Sequence, residues 1–237
     1  MKTLVLFLSM SMMTLASFAQ NKYDAKDVID ERYGITMYNE MVYPAGGDSV
    51  RLCDGMPCGG YIQDFYKSGK VMHKGYYVDG QIKIYKNWYP DGKIERKFTV
   101  LDDHKAKLTT FYNSGPTKSV ILYFDQDVRE WKDFYENGNV EFEERYVKGH
   151  DHVVSRKFFF ENGNPQDIME FEKRGKRLYK KTEYFKSGQV KVEGNVVYSD
   201  QIMDYAKSGA WKEYNESGKL IKKTTYIMGQ STEVEKY

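Results

Sequence analysis

Proline and cysteine are scarce: 5 Pro and 2 Cys in 237 residues. So little proline excludes collagen-like and polyproline chains. Two cysteines are too few for a disulfide-dense secreted scaffold. Histidine is limited to four residues. Gly-x-Ser-x-Gly, Gly-x-Gly-x-x-Gly, a phosphate loop and His-Glu-x-x-His are all missing, so the sequence marks of hydrolases, dinucleotide enzymes, nucleotide triphosphatases and zinc peptidases are absent. Nothing signals a cofactor. Neither sign of charge is in excess: 36 Lys+Arg face 34 Asp+Glu, a net +2, without the basic footprint of a nucleic-acid binder. The longest apolar run, Leu4 to Leu15, falls short of the ~20 residues that span a bilayer. Aromatics are plentiful: 21 Tyr, 13 Phe and 3 Trp, beside 20 Gly. These side chains suit half-buried pleated surfaces, and a 30% charged content suits an amphipathic all-β protein better than a disordered chain.

Residues 1–19 read as a signal peptide: Lys2, the apolar Leu4–Leu15 core, then Ser17-Phe18-Ala19 as a small-x-small cleavage site. Gln20 would open the mature chain, with a charge of 35 − 34 = +1 once Lys2 is lost. The expectation is an exported protein, periplasmic or extracellular. No Cys follows the cleavage point to take a lipid anchor. Residues 20–58 read as an N-terminal cap, with a short helix over 21–34 built on Ala25, Val28 and Ile29, then one or two strands over 35–58. Cys53 and Cys58 lie near its end. Export permits a disulfide between them. Zinc would need more ligands, and the nearest His is His73. The spacing is not Cys-x-x-Cys, so a structural disulfide is the favoured reading.

Internal repetition decides the architecture. One word recurs seven times: two aromatics, a spacer, a small polar residue and Gly. The copies are Phe65-Tyr66-Lys67-Ser68-Gly69, Trp88-Tyr89-Pro90-Asp91-Gly92, Phe111-Tyr112-Asn113-Ser114-Gly115, Phe134-Tyr135-Glu136-Asn137-Gly138, Phe159-Phe160-Glu161-Asn162-Gly163, Tyr184-Phe185-Lys186-Ser187-Gly188 and the degraded Tyr214-Asn215-Glu216-Ser217-Gly218. The intervals between glycines are 23, 23, 23, 25, 25 and 30. Asn-Gly, Asp-Gly and Ser-Gly between alternating runs suggest hairpins with two-residue turns at positive φ. Centred on Asn137-Gly138, that register sets Tyr135 opposite Val140, Phe134 opposite Glu141, Asp133 opposite Phe142, Trp131 opposite Glu144, and Lys132 opposite Glu143 as a favourable charge pair. The second aromatic and the apolar residue two after Gly would mark the core side, and the first aromatic the more polar side. Pro116 and Pro165, unable to donate to a ladder, mark expected bulges or a free edge.

Gly209-Ala210-Trp211-Lys212-Glu213-Tyr214-Asn215-Glu216-Ser217-Gly218-Lys219-Leu220 and Trp131-Lys132-Asp133-Phe134-Tyr135-Glu136-Asn137-Gly138-Asn139-Val140 resemble the MORN repeat, most closely its bacterial variant. The resemblance covers about residues 59–237. It implies an elongated antiparallel β-meander of about seven MORN-like hairpin repeats, some fourteen strands over 59–237. Proteins of this group are often labelled antitoxin-like (YwqK-type), which implies a protein partner. MORN repeats have also been linked to lipid.

Every candidate for chemistry has a plainer reading. Gly149-His150-Asp151-His152 is the one metal-like cluster, and a polar inter-repeat loop explains it as well. Asp64 and His73 should be cross-strand neighbours, yet no nucleophile or oxyanion device accompanies them. Glu141 and Glu143 would share a face, but an open sheet supplies no pocket to raise one pKa. The candidate binding face is the row of first aromatics: Phe65, Trp88, Phe111, Phe134, Phe159, Tyr184 and Tyr214. Lys222–Ile227 sits near the expected open edge, where a partner strand could add. The function expected is a non-enzymatic exported module that binds or scaffolds an unidentified protein partner. The alternatives are association with a membrane surface or cell-wall glycan, or an antitoxin-like neutralising role.

Overall fold

The computed structural model describes residues 50–125, 127–147, 152–173 and 177–237, with the two-residue pairs 22–23, 29–30 and 35–36. Residues 1–19, read from sequence as a signal peptide, and most of residues 20–58, read as a cap, lie outside the described residues. Within them the chain is all β. Fifteen consecutive strands form one meander, each antiparallel to the next and hydrogen-bonded in chain order. They are β1 (Gly60–Tyr66), β2 (Val71–Val78), β3 (Gln81–Trp88), β4 (Ile94–Val100), β5 (Lys105–Phe111), β6 (Thr117–Phe124), β7 (Asp127–Phe134), β8 (Val140–Tyr146), β9 (Val153–Phe159), β10 (Pro165–Lys173), β11 (Leu178–Tyr184), β12 (Val190–Ser199), β13 (Asp204–Tyr214), β14 (Leu220–Ile227) and β15 (Gln230–Lys236). The first and last strands do not pair with each other, so the sheet is open. In the cap, Lys22–Tyr23 runs parallel to Phe65–Tyr66. Ile29–Asp30 pairs antiparallel with Ile35–Thr36, so residues 22–23 and 29–30, the described part of the helix expected over 21–34, are extended and not helical.

The turns at the two ends of the strands differ. At the repeat word the loop is longer than a two-residue turn. The Gly138 N–H donates to the Tyr135 carbonyl (2.9 Å), and the Tyr135 N–H to the Asn139 carbonyl (2.9 Å). Gly138 has φ 90°, while Asn137 is not at positive φ. This is a four-residue turn closed by a left-handed glycine. The residue before Gly reinforces it where that residue is Asn or Asp. The Asn137 side-chain oxygen accepts the Asn139 N–H (2.9 Å), and the same bond recurs from Lys93 to Asp91 (3.0 Å) and from Asn164 to Asn162 (3.1 Å). The words with Ser before Gly, at Gly69, Gly115 and Gly188, keep the same backbone turn, so the side-chain bond supports the turn without dictating it. Two-residue turns with both centres at positive φ occur at the opposite ends of the strands. Asp79-Gly80 (51° and 75°) and Met228-Gly229 (47° and 84°) are examples.

The ladder register matches the expected pairs Asp133–Phe142, Lys132–Glu143 and Trp131–Glu144, but next to the turn Phe134 faces Val140 and Glu141 is skipped. All seven words carry this bulge, at Met72, Glu95, Lys118, Glu141, Gln166, Lys191 and Ile221. One extra residue flips the alternation. The apolar residue two after Gly therefore sits opposite the first aromatic, not opposite the second. The bulge is general and not confined to the prolines. Pro165 opens β10 opposite Phe159, at a strand start where a missing donor is tolerated.

A fifteenth strand was missed. β15 follows the Met228-Gly229 turn and pairs along β14, so Lys222–Ile227 is flanked on both sides. β15 lacks the aromatic word and offered no repeat signal.

Two buried clusters hold the inner face. The first joins Cys58, Tyr77, Ile82, Tyr85, Phe98, Ala106 and Leu108. The second joins Val153, Met169, Tyr179, Val196 and Trp211. Cys53 and Cys58 are disulfide-bonded, and Cys58 enters the first cluster. The Arg51 N–H donates to the Gly80 carbonyl (2.9 Å) and the Gly80 N–H to the Cys58 carbonyl (2.8 Å), fastening this end of the cap to the Asp79-Gly80 turn.

Gly138 tests the word turn. A Cβ there meets nothing within 4 Å, so any penalty is backbone strain. Gly138→Val is expected to cost about 1–3 kcal/mol, because a β-branched residue is strained at positive φ. An unchanged melting midpoint would refute the turn geometry.

Candidate functional site

Alternation along a strand sends neighbouring side chains to opposite faces, and this divides the two aromatics of each word. The second points inward. Tyr66 is buried, and its hydroxyl donates to the Trp88 carbonyl of the next repeat (2.7 Å). The bond recurs from Tyr89 to Phe111 (2.8 Å), Tyr112 to Phe134 (2.7 Å) and Tyr135 to Phe159 (2.7 Å). A phenol ladder thus ties each of the first five words to its neighbour. It ends where the second aromatic loses its hydroxyl, at Phe160, Phe185 and Asn215. The turns are also stitched together. Asn137 and Asn139 donate to the Glu161 carbonyl (3.0 and 2.8 Å). Asn162 and Asn164 donate to the Lys186 carbonyl (3.1 and 3.0 Å). Sequence reasoning overlooked both ladders; the run of Tyr in words one to four was the signal of the first, and Asn-Gly-Asn in words four and five that of the second.

The first aromatics point outward. Phe65, Trp88, Phe111, Phe134, Phe159, Tyr184 and Tyr214 are all half-buried. The Lys97 ammonium lies 5.4 Å from the Phe111 ring centroid, and the Tyr214 hydroxyl donates to Glu193 (2.9 Å). The structure sets these rings one per repeat beside the turn glycines Gly69, Gly92, Gly115, Gly138, Gly163, Gly188 and Gly218, which all have positive φ.

On the inner face, β1 to β3 enclose a polar chain. Asp64 and His73 are cross-strand partners, and each is held by further groups. Asp64 takes two bonds from the Arg51 guanidinium (2.7 and 2.8 Å). His73 Nδ1 lies 2.7 Å from Asn87 Oδ1 and Nε2 lies 2.9 Å from the Tyr77 hydroxyl. Since Asn87 Oδ1 only accepts, Nδ1 carries the proton and Nε2 accepts from Tyr77. Arg51 also donates to the Tyr77 oxygen (3.3 Å). Burial pushes His73 down to about 4, partly opposed by the Asn87 bond, and burial raises the Tyr77 hydroxyl. With His73 and Asp64 at 0% and 2% exposure, these groups fix the fold and do not present chemistry to solvent.

The remaining acidic and metal-like candidates are dispersed. The bulge at Glu141 breaks the alternation that would have aligned it with Glu143. Glu143 is engaged by Lys132 (3.3 Å) and Arg145 (3.7 Å). His150 and Asp151 lie outside the described residues, and the His152 ring packs 5.1 Å from that of Phe171. Among the described residues no group of three His, Cys, Asp or Glu is placed to hold a metal.

An open antiparallel sheet of repeated hairpins, with an aromatic pair at six of its seven word turns, defines a β-hairpin repeat module. The MORN repeat variant family matches residues 81–102, 130–148 and 207–228, so these three segments are similar to that repeat. No curated protein matches the chain. The matched segments include the words at Gly92, Gly138 and Gly218, the last being the degraded copy with Asn215.

Proposed function

We propose that the chain is an exported, non-enzymatic binding or scaffold module that engages a protein partner through its outer face. One observation carries this reading. The phenol ladder fixes successive words in register and leaves one half-exposed ring per repeat on the opposite side. A pre-organised row of aromatics is a low-entropy recognition surface. The described histidines and paired acids have structural engagements, which favours binding over catalysis. The N-terminal segment supports export to the periplasm or beyond. An antitoxin-like role would be a special case of the same protein contact.

The test is partner capture from an envelope fraction with the mature chain, Trp88→Ala and Phe134→Ala. Substituting a central aromatic anchor is expected to cost about 2 kcal/mol of binding, some thirtyfold, with the melting curve little changed. Equal recovery of the partner by all three proteins would sink the aromatic-face reading. Association with a membrane surface or glycan is the second reading, favoured by one feature of the same face.

A further inference from the structure

The outer face changes character along the array. Residues 60–124 hold 11 Lys+Arg and 6 Asp+Glu, a surplus of 11 − 6 = +5, in a chain close to neutral as a whole. None of those six acids stands on the outer face of β1 to β6. Asp64 is buried against Arg51 and Glu95 against Arg96. Asp79, Asp91, Asp102 and Asp103 lie in turns. The cations do stand there. Lys74, Lys86 and Lys97 are direct cross-strand partners on three adjacent strands, about 4.8 Å apart from strand to strand. Lys107 joins them opposite Thr99. No described carboxylate bridges Lys74, Lys86 or Lys107. Farther along, the equivalent row reads Lys132, Glu143, Lys157, which alternates in sign.

Like charges placed directly opposite destabilise a sheet, so three lysines in register make sense as half of a pair whose other half comes from outside. Next to them runs a second in-register row, Tyr61, Tyr76 and Ile84, at 72%, 38% and 47% exposure. It lies two residues along each strand, about 7 Å from the lysine row. The Tyr61 and Tyr76 rings are 5.0 Å apart, and the Lys74 ammonium is 5.6 Å from the Tyr61 centroid. The surface therefore pairs exposed ring faces with a line of uncompensated ammonium groups.

We propose that the outer face of β1 to β6 binds an acidic polysaccharide, a chain of pyranose rings bearing carboxylates. Sugar faces stack on Tyr61 and Tyr76 while the carboxylates lie along Lys74, Lys86 and Lys97. The chemistry favours this ligand over other anions. The outer face of these strands has no arginine to read bases or phosphates bidentately. Its exposed apolar side chains are too few to insert into a bilayer. This goes beyond the protein-partner reading, because Phe134 lies outside the patch and reports on that reading separately.

The experiment measures retention of the mature chain on immobilised polygalacturonate, with neutral dextran, phosphatidylglycerol vesicles and oligo(dT) as comparators. The wild type is expected to bind polygalacturonate at low salt and to be released as salt screens the contacts. Combined Lys74→Glu, Lys86→Glu and Lys97→Glu should weaken binding by about tenfold or more, from the loss of three surface ion pairs. Tyr61→Ala should weaken it independently, and Phe134→Ala should leave it unchanged. Equal retention of the triple variant, equal retention on dextran, or tighter binding to vesicles or oligo(dT) would overturn the proposal.

Discussion

Truncating Trp211 to alanine is expected to destabilise the C-terminal half by about 3–5 kcal/mol, the range for large aromatic deletions in a packed interior. Trp211 is 2% exposed and belongs to the second buried cluster. Its ring lies over Gly194, where a Cβ would come within 2.4 Å of it. Gly194 falls where the pairing of β12 with β13 shifts, between Glu193 and Asn195, so backbone and indole approach as closely as a missing side chain allows. The indole N–H donates to the Asn195 carbonyl (3.0 Å). Lys207 sits 4.2 Å over the ring, and Tyr226 meets it edge-on at 6.3 Å. Alanine at 211 would forfeit all of these and leave a cavity that β12 and β13 cannot close. Because each hairpin mainly touches its neighbours, the damage should stay local. Hydrogen exchange should rise in β12 to β14 and stay unchanged in β2 to β5. Urea unfolding that shows a loss under about 1 kcal/mol, or exchange rising uniformly, would contradict this packing account.

Trp211 also marks how far a linear sequence can be read. Its place in a Gly-x-Trp word was plain, and so was the meander, because both follow from period and alternation. The Lys132–Glu143 pairing was legible for the same reason: charges and rings align in only one register. What escaped was set by atoms outside the pattern. The word turn is longer than two residues whether Asn137, Asp91 or a serine precedes the Gly, so the residue type there does not announce its length. The bulge after each Gly has no composition of its own: Met72, Glu95, Lys118, Glu141, Gln166, Lys191 and Ile221 share nothing but position. It reversed the side assigned to Val140. β15 escaped because Gln230–Lys236 carries no word at all. Of the candidate site, the first-aromatic row could be named but its support could not, since a phenol reaching the next repeat's carbonyl is a contact between residues 22 or 24 apart. The lysine row was hidden by averaging. A net charge of +2 over 237 residues conceals a basic segment beside a balanced one.

The largest expected response to solution conditions lies in His73. The imidazole is 0% exposed and is neutral in the fold, with Nδ1 donating to Asn87 and Nε2 accepting from Tyr77. Around it stand Arg51, whose charge disfavours a second proton, and Asp64, whose charge favours one, while burial outweighs both and holds the group at about 4. An unfolded histidine titrates near 6.5. Above that value both states are neutral and His73 contributes no pH dependence. Between about 6.5 and 4 the unfolded chain takes up a proton that the native chain refuses, so stability falls as the pH falls, by about 1.4 kcal/mol per unit. Over the window the loss approaches ~3 kcal/mol, large against the 5–15 kcal/mol typical of a domain. Carboxylates add their own acid dependence in any variant, so the informative quantity is a difference. His73→Gln retains polar atoms without the proton, and its urea midpoint should move less between pH 7 and pH 4 than that of the wild type, by the equivalent of ~3 kcal/mol. Tyr77→Phe removes the Nε2 partner and leaves the imidazole buried, so it should keep the wild-type pH slope at lower overall stability. Parallel pH profiles for wild type and His73→Gln would mean that the imidazole reaches solvent or a counter-charge in the folded chain, and that the directional chain from Arg51 through Tyr77 and His73 to Asn87 is wrongly assigned.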